Sequence, residues 1–264
     1  MSLLKVLNRT VFFVLLTIIV ISFFARDNYR GIGELDADIF NEPMQSELMG
    51  ERGTIFTQDE YEYSLEYLYE YEMSALIVSK MDYRWFSISK RDSVFPIDIC
   101  VIWGENTRQE VFRNKSLHFT QDFRFCNWMY SGRLEVRSDE IANVHLLINN
   151  KEIEKRANKL SVGDQVRVKG KLVNVKATNI GEAGKYDPEY FELNSSTGRG
   201  DSGAGACEIL LVEDIEIIKK GNQIYHVLYR WGGYLLVLLI ILNIIYIFAD
   251  FKHPFYRKQN NLGK

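Results

Sequence analysis

Four histidines, three cysteines and one Gly-Asp-Ser-Gly word are the features of this 264-residue chain that could carry covalent chemistry. The word occupies residues 200–203 and puts Ser202 where a serine-protease nucleophile would stand. Such a serine needs a histidine base, a carboxylate to orient it and an oxyanion hole. His118 and His145 stand in SLHFT and NVHLL, neither a His-Cys context, and His226 and His253 fall beside or beyond an apolar run. The residues after Ser202 are Gly-Ala-Gly-Ala, so a protease is excluded. The Arg-Gly-Asp at 199–201 is accounted for by composition, in a loop with four glycines. No GxxxxGK[ST] cradle and no CxxC spacing occurs, so neither a metal nor a cofactor is expected. No carboxylate pair identifies itself as an acid/base couple, and the expectation is a binding protein rather than an enzyme.

Cys100, Cys126 and Cys207 fit one disulfide plus one thiol in an oxidising compartment, or equally three small buried hydrophobes. For ligand binding, Phe123, Arg124, Phe125, Trp128 and Tyr130, with Arg167, Lys169 and Lys171, have the aromatic and basic character that single-stranded oligonucleotides require. Overall charge opposes this reading. Six basic residues and one acidic residue lie outside the two apolar runs, which leaves the segment between them a net charge of −8.

Those runs, residues 10–25 and 231–249, are read as transmembrane helices. The first is short enough to compete with a secretory signal, but Phe23 stands where a cleavage site before residue 26 wants a small residue, which favours an uncleaved anchor. Basic tails at 1–9 and 250–264 place both termini in the cytoplasm of a bacterial inner membrane and the middle domain outside it. Asn243, mid-span, predicts either a helix–helix hydrogen bond or a pore lining.

Between the spans, residues 26–56 read as a linker, 57–222 as the domain and 223–230 as a second linker. In YEYSLEYLYEYE, aromatics and Leu65 keep one parity from Tyr61 to Tyr71, with acids and Ser64 on the other, and Leu68 alone breaks the pattern. That period of two predicts a strand. Further strands are expected at 74–80, 83–89, 96–104, 124–130, 144–149, 165–177 and 207–218, and a short helix at 150–160. In GDQVRVKGKLVNVKA the apolar parity shifts around Gly170, which predicts a bend or bulge there. The fold class that follows is mainly β, an OB-like small barrel or a β-sandwich between two transmembrane helices.

The words VIWG, FTQDFRFCNW, IANVHLLI, VGDQVRVKGKLV and SSTGRGDSGAGACEILLV, in that order, resemble a family of uncharacterised bacterial envelope proteins. The resemblance runs from about residue 71 to 212 and implies a single β domain behind a signal or anchor. It also implies that Cys126 and Cys207 form the disulfide. In layout, a β domain between two spans is similar to membrane effectors of antiviral defence such as that of the Hailong system. The reading that emerges is a membrane-anchored, homo-oligomeric binding or sensing module. A ligand-gated pore answering to a single-stranded oligonucleotide and a structural envelope component are the alternatives.

Overall fold

The computed structural model describes residues 3–84, 90–122, 124–181, 190–201 and 206–260. Strand exceeds helix, 38% against 33%, and most of the helix lies in two terminal segments. The chain divides into a helical unit, residues 1–27 and 222–264, and a β unit, residues 28–221.

The helical unit pairs α1 (Leu3–Arg26) with α4 (Gln223–Asn260). Their apolar stretches, Val6–Arg26 and Gln223–Phe248, are long and apolar enough to cross a membrane. Both exceed the expected spans, and the expected linker at 223–230 is the first part of α4. Gly232 allows close packing, since a Cβ there would sit 3.1 Å from Ile19 Cγ1. Asn243 Nδ2 donates to Asn8 Oδ1 at 3.3 Å, and Asn8 Nδ2 donates back to Asn243 Oδ1. Asn8, read from sequence as part of a tail, therefore lies within the apolar stretch and satisfies the mid-span amide.

In the β unit, β1 (Met44–Ser46) and β2 (Gly53–Gln58) flank β3 (Tyr61–Asp82), a 22-residue strand that merges two predicted ones. After it come β4 (Ile97–Ile102), the short helix α2 (Gly104–Arg108), the hairpin β5 (His118–Asp122) and β6 (Phe125–Met129), and β7 (Ile141–Leu147). Helix α3 (Lys151–Ala157) precedes β8 (Gln165–Asn179), β9 (Tyr190–Leu193) and β10 (Cys207–Lys219). The predicted strand at 83–89 falls mostly outside the described residues.

Pairing runs β3–β4–β7–β10–β8, and β8 pairs again with β3, so the circuit of five strands returns to its start. Every pairing is antiparallel except β7 with β10. One face of all five carries a single apolar core, including Met73, Ile77, Ile99, Val144, Val168 and Leu210, joined by Ile153 and Ala157 of α3. A second cluster gathers Tyr61, Tyr63, Leu65, Val173, Val175 and Phe191 at the far half of β3 and β8.

The change of buried face predicted at Gly170 has a different origin. Even residues of β8 from Val166 to Leu172 enter the first cluster and odd ones from Val173 enter the second, which simple alternation produces. The bulge is in β3, between Tyr67 and Tyr69, and the extra residue is Leu68, the one that broke the parity. Gly170 instead permits a close approach, because a Cβ there would lie 2.0 Å from the Leu211 carbonyl, beside a bulge of β10 between Val212 and Asp214.

The expected linker at 26–56 is packed structure over much of its length. Tyr29, Ile32 and Ile39 are buried in a third cluster with Leu76, Val78, Cys100 and Ile102, on the opposite face of β3 and β4 from the first. The polar residues that punctuate this arm hid three well-spaced anchors.

The implied Cys126–Cys207 disulfide is replaced by Cys100–Cys126, with a Cα separation of 5.5 Å, and Cys207 is free. The strand order explains the choice. Cys126 of β6 lies over β4, whereas Cys207 is aligned with Asn143 of β7, which in turn is aligned with Cys100. A whole strand separates Cys207 from Cys100.

Candidate functional site

The outer face of β4, β7 and β10, opposite the first core, carries a polar seam between the second and third apolar clusters. Register sets its members in rows. Asp98 aligns with His145, and Cys100 with Asn143, across β4 and β7; Asn143 aligns with Cys207 and His145 with Ile209 across β7 and β10. Alternation in each strand sends Asp98, His145 and Cys207 outward together while their neighbours enter the core.

Asp98 is fully buried and gathers three partners. Tyr83 donates its hydroxyl at 2.9 Å, Arg124 donates at 3.0 Å, and His145 Nδ1 lies 2.9 Å away without an aligned N–H. Arg124 also pairs with buried Asp92, donates to the Phe95 carbonyl at 2.9 Å and lies 3.7 Å over the Tyr83 ring. Burial first, then the Asp98 carboxylate, pushes the Tyr83 phenol far up, so it stays a donor. Arg124 pays for this position with a left-handed backbone, φ 73°, a conformation costing about 1–2 kcal/mol outside glycine.

His145 joins two ends of the seam. Burial opposes its charge, but the neighbouring Asp98 carboxylate and the Cys207 sulfur prevail and raise its pKa to about 9. Asn143 Nδ2 lies 3.0 Å from Cys207 Sγ, donates to the Arg124 carbonyl at 2.7 Å and is itself held by Gln121. Glu208, next in sequence, points away and is buried, which with nearby Asp201 raises its carboxyl to about 8.

An open cleft of about 190 Å³ leads to Cys207. Phe125, Cys126, Asn127 and Trp128 form one wall, Ile141 and Asn143 the floor, and Asp201 and Ala206 the other wall. Asp201 accepts from Ser196 Oγ at 2.6 Å and Arg199 pairs with Glu42 at 2.7 Å, so both charged ends of the Arg-Gly-Asp tripeptide are engaged within the domain. Ser202 and Gly203 lie outside the described residues, as does Phe123.

The binding residues read from sequence do not converge. Phe125 and Trp128 line the cleft, and Tyr130 stacks on Trp128 at 6.0 Å, but Arg124 turns inward to the two aspartates. Arg167, Lys169 and Lys171 stand on β8, away from the cleft and matched to acids. Arg167 pairs with Asp38, Glu72 and Glu216, Lys169 with Glu72, and Lys171 with Glu70 and Glu213. Among the described residues no lysine or arginine lines the cleft. In the sequence His145 stands out only as a candidate partner of Ser202, and Asp98 belongs to no motif. The available signal was a polar residue at one outward position in each of three apolar strands: IDICVI, NVHLLI and ACEILL.

No protein-family model, curated protein or solved structure matches the chain.

Proposed function

We propose that the chain is a two-span membrane protein whose central domain is an OB-like binding module. The observation that carries this reading is the five-strand circuit. A long first strand (β3) pairs with both the second (β4) and the fourth (β8), the third (β7) runs parallel to the fifth (β10), and a helix lies between the third and fourth. That is the order of a closed OB barrel, whose binding face is the outside of strands two and three. The seam lies on the corresponding face of β4 and β7, and the cleft borders it.

The apolar side chains of α1 and α4 are mostly exposed, and a bilayer is the medium that accepts them. A disulfide in the domain supports an extracytoplasmic position, with both tails in the cytoplasm. The cleft has aromatic walls, amide groups and one acid, Asp201. It therefore suits an uncharged or cationic small ligand, and phosphate chains find no counter-charge. Contact there would act on the spans, within a homo-oligomer.

Two measurements test this reading. Reporter fusions after residue 222 should show extracytoplasmic exposure of the domain; a cytoplasmic result removes the proposed topology. Thermal-shift screening of the full chain in detergent with neutral and cationic compounds should give ligands whose shift is lost in Trp128→Ala and reduced in Asp201→Asn. Tight, steeply salt-dependent binding of oligothymidylate instead would reverse the assignment of ligand class.

A further inference from the structure

Beside a disulfide, the seam sets a thiol, an imidazole and a carboxylate in series. Cys207 is free and lines the cleft. His145, on the neighbouring strand, shares the outward face of Cys207 and lies near enough for that sulfur to act on its pKa, and Asp98 Oδ1 lies 2.9 Å from the Nδ1 of the ring. A reactive cysteine needs a base within reach and a third group to orient the base. A cysteine kept for packing needs neither. The electrophile is close by, since Cys126 lines the same cleft and is bonded to Cys100.

We propose that Cys207 is the nucleophile of a thiol–disulfide exchange site, with His145 as the imidazolium that pairs with its thiolate and Asp98 as the positioning group, and with the Cys100–Cys126 disulfide as its partner within the chain. In the forward step the Cys207 proton leaves to solvent, the thiolate is held by the His145 imidazolium, and Sγ attacks Cys126 Sγ. The Cys126–Cys207 bond forms as Cys100–Cys126 breaks, and Cys100 leaves as a thiolate that takes a proton. The two connectivities are isomers, so the step consumes no oxidant. Fully buried Cys100 is a disfavoured free thiolate, which keeps the resting population on Cys100–Cys126. Small disulfides entering the cleft meet Cys207 first and are its external substrate class. The charged and titratable groups around His145 are Asp98 on β4, Cys207 on β10 and Arg124 on the hairpin, with Tyr83 and Asp92 bound to that arginine and aspartate, and with Glu208 of β10 near enough to feel its charge from the other face.

The test uses the full chain in detergent with 4,4′-dithiodipyridine, a neutral small disulfide, followed by thiopyridone release at pH 6. Wild type should react at Cys207 at least ~10-fold faster than His145→Gln. In parallel, Cys100→Ser treated with oxidised glutathione, quenched in acid and digested, should yield the Cys126–Cys207 linkage by mass mapping. Equal rates in wild type and folded His145→Gln overturn the proposal, as does a Cys100→Ser protein that keeps two separate thiols or glutathione adducts. If His145→Gln does not fold, by circular dichroism, the Cys100→Ser arm decides alone.

Discussion

Two polar regions decorate the outside of the same β unit, and they obey different physics. Along β8, Arg167, Lys169 and Lys171 meet acids of β3 and β10 across neighbouring strands, and those carboxylates are 31–56% exposed. In the seam, Asp98, Asp92, Arg124, Tyr83 and His145 interlock with both aspartates buried. Exposed pairs trade protein contacts for water contacts at little net gain. Buried ones stand only if every partner is present, since each has lost its hydration. The stripe is thus interchangeable charge, and the seam is a device whose parts depend on one another.

The sharpest way to separate the two is Asp98→Ala, which strips three groups of their shared acceptor and leaves Arg124 with Asp92 as its one carboxylate. Urea denaturation followed by tryptophan fluorescence should show a loss of about 3–5 kcal/mol. A loss below 1 kcal/mol would make the seam no different from the stripe. The next largest effect is on pH dependence. His145, raised to about 9, contributes stability that is complete below the unfolded pKa near 6.5 and disappears as pH rises through 9. Glu208, held protonated to about 8, acts in the same direction between roughly 4.5 and 8. Stability should therefore fall from pH 6.5 to 9 by on the order of 1–3 kcal/mol. His145→Gln should flatten the upper part of that slope and Glu208→Gln the lower, while Lys169→Ala should leave it intact. The smallest effect belongs to the stripe. Arg167→Ala should cost no more than about 1 kcal/mol, shrinking further at ~0.5 M salt because exposed charges are screened.

Much of the architecture was readable because alternation is a local property. The tyrosine ladder of β3, the apolar runs of β4, β7 and β10 and the helix at 150–160 all emerge from spacing alone, and Leu68 marks its own bulge. The arm from Tyr29 to Ile39 was not readable, because three anchors spread over eleven residues have no period. The basic character of β8 was legible and its neutralisation was not, since the answering acids lie on strands about 95 residues before and 45 after it, at separations no local pattern spans.

By itself the sequence determined that two apolar helices bracket a mainly β domain, that its charge is acidic and that Ser202 has no protease context. Those facts depend on composition and on neighbours within a few residues. The tertiary structure alone decided which cysteines join, which face Arg124 serves, that Asn8 answers Asn243, and that a histidine from β7 meets a carboxylate from β4 and a thiol from β10. Apart from the helix–helix pair, these depend on strand order and register, and a one-residue slip of register would turn Asp98, His145 or Cys207 to the opposite face.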